Sequence, residues 1–490
     1  MTIYIRKNLK NLHWVLFSLL LPAMNLFAGN LEEGINEFKS SNFASAYKFL
    51  KPEADSGSLQ AQNIIAIMYE NGWGVGLDLK EAYLYYEKAA LNESSHAQFK
   101  LGQFYQLGIV VQKNLQQALN WYLKSASQGN AKAENALGLM YTDGIGVNRN
   151  YQRALDYFKS AADKNNPEAQ LNLGGAYAQG EGVQKSDEWA IYWYKKAAEL
   201  GFAPAQYNLG VRFAEGNGLP RDYEKSYQWY LKSAEQGYAP AQNNIGNLYN
   251  NGLGVTKDQK RAVYWFLKAV EQDYIAAKLN LGLAYLFGTG ISKNANIAGT
   301  LLYSAAENGF VDAQFNLAKM YIDGNGVEKD LSKALHWYIK CSDSGDAECA
   351  REAGKLYFSG EGSVLKNYEK AAIFSRRAAE LGDSEGQYLL GILYQRGYFV
   401  SQDYKLAFYW FQKAADQGNA FSQRKLGVMY AQGDGVDRSV TKSYFWNLLA
   451  KINGDDIASQ NIENLEEVIS QSDKERIRLA ANNWLKARRK

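Results

Sequence analysis

Apolar residues recur along this chain at helical spacing, and each helical stretch is followed by glycine. From Ala97 the chain reads Ala-Gln-Phe-Lys-Leu-Gly-Gln-Phe-Tyr-Gln-Leu-Gly, and from Ala205 it reads Ala-Gln-Tyr-Asn-Leu-Gly-Val-Arg-Phe-Ala-Glu-Gly. Small residues stand at the first and sixth positions, an apolar residue at the fifth and an aromatic mostly at the ninth, which is one face of a helix. Gly108, Gly144, Gly180 and Gly216 follow, where glycine takes the left-handed C-cap conformation at little cost. A Gly-x-Gly-Val type loop comes next, as in Gly144-Ile145-Gly146-Val147. A second amphipathic stretch then places small and aromatic residues at i, i+3, i+4 and i+7, as in Ala190, Trp193-Tyr194 and Ala197-Ala198.

The small first residue recurs at Ala61, Ala97, Ala133, Ala169, Ala205, Ala241, Ala277, Ala313 and Cys349, always 36 residues apart. Gly386 arrives one residue late, after an insertion in the loop beyond Gly362, and Ser422 resumes the step. A period in the thirties means stacked two-helix units, because no single unit can bury its own apolar face. The spacing predicts an all-α, right-handed α/α superhelical solenoid of 36-residue helix-turn-helix repeats. The expected organisation is a cleaved signal peptide over 1–28, a short N-terminal repeat or cap over 29–60, eleven repeats over 61–453 and a C-terminal helical cap over 454–490. The N-terminal unit is shortened by four residues, since Gly34 lies 32 before Ala66. In the C-terminal cap, Ile457, Ile462, Leu465, Val468 and Ile469 form one predicted stripe. Ile477, Leu479, Ala480, Trp484 and Leu485 form the second.

The signature Ala-x-x-x-Leu-Gly-x-x-Tyr-x-x-Gly-x-Gly-Val, then Ala-x-x-Trp-Tyr-x-x-Ala-Ala, resembles the Sel1-like repeat family, a relative of tetratricopeptide repeats. The resemblance covers about residues 61–451. Three units depart from it: Gly108-Ile109-Val110-Val111 lacks the second glycine, Leu301-Leu302 replaces Trp-Tyr, and Gly397-Tyr398-Phe399-Val400 alters the loop. The family implies a non-catalytic interaction scaffold. Its exported members in Gram-negative bacteria serve as adaptors in envelope complexes or in contact with host cells.

Composition narrows the chemistry. The chain has 490 residues, 54 basic and 51 acidic. Arg6, Lys7 and Lys10 precede the short apolar run Trp14 to Leu21, and Leu26-Phe27-Ala28 offers a cleavage site, the layout of a secretory signal peptide. Removing 1–28 leaves 54 − 3 = 51 basic residues against 51 acidic, a neutral chain with no case for nucleic acid. No later stretch is apolar enough to span a membrane, so the expected location is the periplasm or outside the cell. Gly72-x-Gly74-x-Gly76 has no strand before it and occupies the ordinary inter-helix loop, so no nucleotide cofactor is implied. The family's cysteine-rich branch is linked to β-lactam binding. However, Ser45/Lys48, Ser363/Lys366 and Ser422/Lys425 lack the accompanying Ser-Asp-Asn and Lys-Thr-Gly motifs. Beyond residue 28 only His96 and His336 are histidine, both at variable positions that read as surface, so no catalytic, cofactor or metal site is predicted. An envelope glycan or β-lactam-binding enzyme, or a passive spacer, are the alternative functions.

Two residue sets stand out. Cys341 and Cys349 replace small core-facing residues in adjacent helices. The resemblance implies a disulfide, since the same eight-residue step carries the bridges of the cysteine-rich branch. Two buried thiols, or a zinc site with His336, are the other readings. The fourth position of the first helix is Asn172, Asn208, Asn244, Asn280 and Asn316 in five consecutive units, with Asn243 and Asn247 beside them. An asparagine amide offers donors and an acceptor to a peptide unit. In tetratricopeptide relatives an asparagine row at the corresponding place lines the concave groove, which predicts a protein or peptide partner here. The opposing reading is that each amide bonds to the neighbouring helix.

Overall fold

The computed structural model describes residues 28–488. The predicted signal segment therefore lies, apart from Ala28, outside the described residues. Twenty-six helices, α1 (Ala28–Lys39) to α26 (Gln471–Arg488) in chain order, follow one another with no strand among the described residues. The chain divides into two compact units, 1–221 and 222–490. Each is an all-α solenoid of antiparallel helix pairs, an A helix followed by a B helix.

The local chemistry is the same in the eleven pairs whose A helices start between residues 59 and 420. B helices start on an extended Asp, Asn or Ser whose side chain accepts from a first-turn backbone N–H. Asn114 does so for α6 (Leu115–Ser127), and Asp258 for α14 (Gln259–Val270). A helices end on left-handed glycine, as Gly108 ends α5 (Ser95–Leu107) at φ 70°. The sixth-position glycine is required by packing: a Cβ on Gly102 would fall 2.4 Å from the Tyr122 ring, and one on Gly138 2.4 Å from that of Phe158. The second loop glycine is required twice over. Gly254 has φ 68°, and a Cβ there would lie 2.3 Å from the Tyr223 backbone. Val110 and Phe399 hold this same place at φ 66° and 64°, a conformation costly for side chains of their size.

The irregular units follow from loop length. The loop between α1 and α2 (Phe43–Asp55) has three residues, 40–42. Its counterpart between α3 (Leu59–Asn71) and α4 (Leu79–Leu91) has seven, 72–78, so the four missing residues are in the turn and both helices are kept. Gly34 accordingly packs against Leu50, as Gly102 packs against Tyr122. In the C-terminal cap, α25 (Ala458–Glu466) and α26 lie on α24 (Val440–Ile452). Ile462, Ile469, Ile477 and Ala481 are buried there, with Leu465, Trp484 and Leu485 partly so. Ile457, Val468, Leu479 and Ala480, predicted for these stripes, instead face outward. The phase that fits α26 to the solenoid end is Ile477, Ala481, Trp484 and Leu485, which leaves 479 and 480 on the far side.

Both units share one packing feature of their A helices. Alternate A helices touch across the B helix between them: α9 (Pro167–Gln179) meets α11 (Ala203–Glu215), and α19 (Ala347–Ser359) meets α21 (Ser384–Arg396). In each case two successive A helices lie side by side on one face of the stack.

Candidate functional site

The five position-four asparagines are all half-buried on A helices. Asn172 and Asn208 belong to the first unit, and Asn244, Asn280 and Asn316 to the second. Their amides are not used alike. Asn172 Nδ2 donates to Asn135 Oδ1 of the preceding repeat at 2.9 Å. Asn280 Nδ2 donates to Asn243 Oδ1 at 2.8 Å and Asn247 Oδ1 at 3.1 Å, while Asn243 Nδ2 reaches Asn244 Oδ1 at 3.4 Å. Asn316 turns back to the Asp312 carbonyl of its own helix at 2.7 Å. The Asn208 amide has no protein hydrogen-bond partner among the described residues. Structure thus joins Asn243, Asn244, Asn247 and Asn280 in one inter-repeat network and leaves Asn208 outside any.

In the first unit, Asn172 and Asn208 line a groove of about 320 Å³ together with Leu139, Thr142, Gly175 and the Tyr194 ring. Its floor is bare because Gly175 stands where Leu139 and Val211 stand in the flanking repeats. Nothing in the packing demands that glycine: a Cβ would meet only Tyr194 Oη, at 3.9 Å. Glycine inside a helix costs about 0.5–1 kcal/mol relative to alanine, so the open floor is bought with stability. Sequence reading passed over Gly175. The signal was available, a second consecutive glycine in mid-helix at a register filled elsewhere.

The second unit carries a larger groove, about 570 Å³, on α17 (Val311–Asp323), α18 (Leu331–Asp343) and α19. Phe315 and Tyr338 form part of its wall, and Glu352 holds the register that Asn316 holds one repeat earlier. Tyr388 packs at 5.9 Å centroid separation against both Phe411 and Phe421.

The recurrent polar contact that organises the stack was also passed over. A glutamine follows the first small residue in most repeats and donates to the carbonyl eight residues back. Gln62 reaches Ala54 at 3.2 Å, Gln98 reaches Ala90 at 3.2 Å, Gln170 reaches Ala162 at 3.1 Å and Gln423 reaches Ala415 at 3.1 Å. In several repeats its Oε1 also accepts from a residue thirty further on, as Gln98 does from Gln128 at 2.8 Å. One buried amide thereby pins three helices.

His336 is exposed as read, but His96 is half-buried rather than a free surface residue. Its Nε2 is buried without a partner, the ring lies edge-on to Tyr86 at 5.9 Å, and burial, with Lys100 and Lys132 nearby, pushes its pKa down to about 4. The cause is its place at the start of α5, where the ring turns into the seam between repeats.

Cys341 and Cys349 are fully buried and disulfide-bonded, with Cα atoms 5.8 Å apart. Together with Asp346 they form the one group of three metal-type ligands in close reach among the described residues. Both sulfurs are spent on each other, and His336 is not part of the group. No helix of the described residues is long and apolar enough to cross a membrane.

The repeats are recognisable outside this chain. The Sel1 repeat model matches eleven consecutive segments, from 59–94 to 420–455. The crystal structure of c5321, described as a protective antigen present in uropathogenic Escherichia coli strains displaying an SLR fold, is 32% identical. It covers 90% of this chain and 94% of that one, with a TM-score of 0.75. A Sel1 repeat protein from Oxalobacter formigenes is also 32% identical, over 50% of this chain and 96% of that one, with a TM-score of 0.46. No curated protein matches the chain. Repeat proteins of this kind are in general protein-interaction scaffolds and typically non-catalytic. With its repeats matched from residue 59 to 455, this chain belongs to the Sel1 repeat family.

Proposed function

We propose that the protein is an exported, non-catalytic adaptor that holds an extended segment of a partner protein against the inner face of its A helices. The observation that carries this reading is the first-unit groove. There Gly175 opens the floor at a cost in helix stability, and Asn208 presents an amide with no partner of its own. A backbone amide and carbonyl of a bound segment complement such a side chain without regard to sequence. Export is supported by the signal-peptide pattern at the N-terminus and by the buried disulfide, a bond that persists in oxidising compartments. The c5321 relative, a protective antigen, accords with a chain that leaves the inner membrane for the periplasm or the exterior.

The test is a display selection of short random peptides against the purified chain, with Asn208→Ala and Gly175→Leu as comparison proteins. The reading holds if enriched peptides bind the unaltered chain and lose about tenfold on Gly175→Leu, with less but measurable loss on Asn208→Ala. No enrichment, or binding indifferent to both changes, overturns it.

A further inference from the structure

The inner face changes chemistry partway along the second unit. Position four is asparagine through Asn316 and then becomes Glu352, and the 570 Å³ groove lies at that change. Its walls are apolar and aromatic: Phe315, Tyr338, Leu356 and Phe358. Its rim carries four carboxylates, Asp323, Glu348, Glu352 and Glu361, against Lys319, Lys355 and the Arg351 guanidinium behind Glu348 and Glu352, an excess of 4 − 3 = 1 negative charge.

The lysines are already engaged. Lys319 Nζ stands 5.3 Å above the Phe315 ring. Lys355 pairs with Glu352 at 3.3 Å and with Glu385 outside the groove. Arg351, mostly buried, holds Glu348 at 2.7 Å and Glu352 at 2.8 Å, fixing both carboxylates in place. Asp323 and Glu361 have no cationic partner among the described residues, so the negative excess is not neutralised from within. The Tyr338 hydroxyl registers it: burial first, then Glu352, Asp323 and Glu348, raise its pKa.

A cleft with aromatic walls and unneutralised carboxylates at its rim matches one side chain best. The arginine guanidinium stacks flat on aromatic rings, pairs with carboxylates through two parallel hydrogen bonds and is weakly hydrated. Its aliphatic stem suits contact with Leu356 and Phe358. Resting on the reading of the inner face as the binding surface, we propose that this groove receives an arginine side chain presented by an extended segment of the partner protein. The first-unit groove reads backbone, and this one reads a residue type.

The test uses the full secreted chain and four short fluorescein-labelled peptides that differ at one central residue: arginine, citrulline, lysine or glutamate. Anisotropy gives each affinity for the unaltered chain, for the double variant Asp323→Asn/Glu361→Gln and for Asn208→Ala. The two carboxylates are exposed and make no ion pair, so the double variant keeps its melting temperature. We expect arginine to bind about tenfold tighter than citrulline, lysine to fall between, and glutamate not to bind. The double variant should abolish that arginine preference and leave the citrulline peptide unchanged, and added salt should narrow the gap. Equal binding of arginine and citrulline peptides, a lysine peptide as tight as arginine, no binding at all, or an arginine preference that survives the double variant overturns the proposal. The broader reading fails separately. If Asn208→Ala and Gly175→Leu leave selected peptides bound while arginine preference persists, the asparagine groove falls and this site stands. If those variants lose their peptides and arginine confers nothing, the reverse holds.

Discussion

Gln98 donates its side-chain amide to the carbonyl of Ala90, at 3.2 Å, and accepts from Gln128 at 2.8 Å. Gln170 makes the first bond, to Ala162 at 3.1 Å, but its Oε1 is buried without a partner, because position 200 is Leu where the equivalent of Gln128 would be. Removing the clamp breaks buried side-chain hydrogen bonds, each worth about 0.5–1.5 kcal/mol, while the carbonyl keeps a backbone bond, from Glu93 N–H in the case of Ala90. Gln98→Leu should therefore destabilise the chain more than Gln170→Leu. Leu200→Gln should stabilise it by about 0.5–1 kcal/mol by supplying the missing donor, and Leu200 is exposed enough to be exchanged freely. Urea unfolding of the three variants decides it. A destabilising Leu200→Gln would show that the orphan oxygen is satisfied by water.

Phe399 stands in the left-handed region, at φ 64°, where the other repeats mostly have glycine, and its side chain is 62% exposed. Little packing is lost by removing it, while the steric penalty of the left-handed backbone is about 1 kcal/mol or more. Phe399→Gly should raise stability by up to about 1 kcal/mol, offset in part by the greater freedom of glycine in the unfolded chain. Phe399→Val should not, since a β-branched residue meets the same backbone penalty. A lowered melting temperature for Phe399→Gly would mean that the ring contributes more to packing against Ile373 and Val400 than its exposure implies.

The period, the helix pairs and the shortened first unit were legible because each rests on contacts local to one repeat. Gly102 must be small to meet Tyr122 twenty residues on, and Gly108 must be glycine to end its helix, so the pattern is written at fixed spacing. What escaped depends on the neighbouring repeat. The partner of Asn280 is Asn243, 37 residues back and at position three rather than four, and only the stacking geometry shows that these two registers meet. The Ala-Gln pair recurs in plain view. However, a glutamine beside a buried alanine reads as a solvated neighbour until the last-turn carbonyl of the preceding B helix is seen beneath it. His96 and the α26 phase were misread for the same reason: a single helix fixes its own periodicity but not its rotation against the next one.

His96 gives the fold a pH dependence with a definite sign. Its folded pKa is about 4, below the ordinary value of 6.5, because burial and the nearby Lys100 and Lys132 disfavour the charged ring while Glu70 only partly compensates. The folded state therefore binds fewer protons, and stability rises with pH between about 4 and 6.5. The contribution is fully present above 6.5 and is lost as pH falls to about 4, amounting to no more than about 3 kcal/mol. Phe421 occupies the equivalent register in the last matched repeat, 420–455, so His96→Phe puts an uncharged ring in place of the imidazole at a register that holds phenylalanine elsewhere. That variant should flatten the stability profile across this window and leave it unchanged above neutrality. An equally steep profile would assign the acid sensitivity to other groups.

The asparagines separate by how their amides are spent, and this separates stability from binding. Asn280→Ala removes the donor shared by Asn243 and Asn247 in a half-buried inter-repeat network, and should cost about 1–2 kcal/mol. Asn316→Ala removes only a bond to its own helix at Asp312, a local contact that competes with the helix rather than supporting it, so its effect should be small. Asn208→Ala removes no protein bond and exchanges a poor helix former for the best one, so stability should hold or rise by about half a kcal/mol. The order of unfolding midpoints is then Asn280→Ala lowest, Asn316→Ala near the unaltered chain, and Asn208→Ala level or above. If Asn208 is nonetheless the position at which peptide affinity drops, the loss is binding alone, because no structural role is available to explain it. If Asn208→Ala melts as low as Asn280→Ala, its amide holds helices together, and the groove it lines is not a binding site by virtue of that residue.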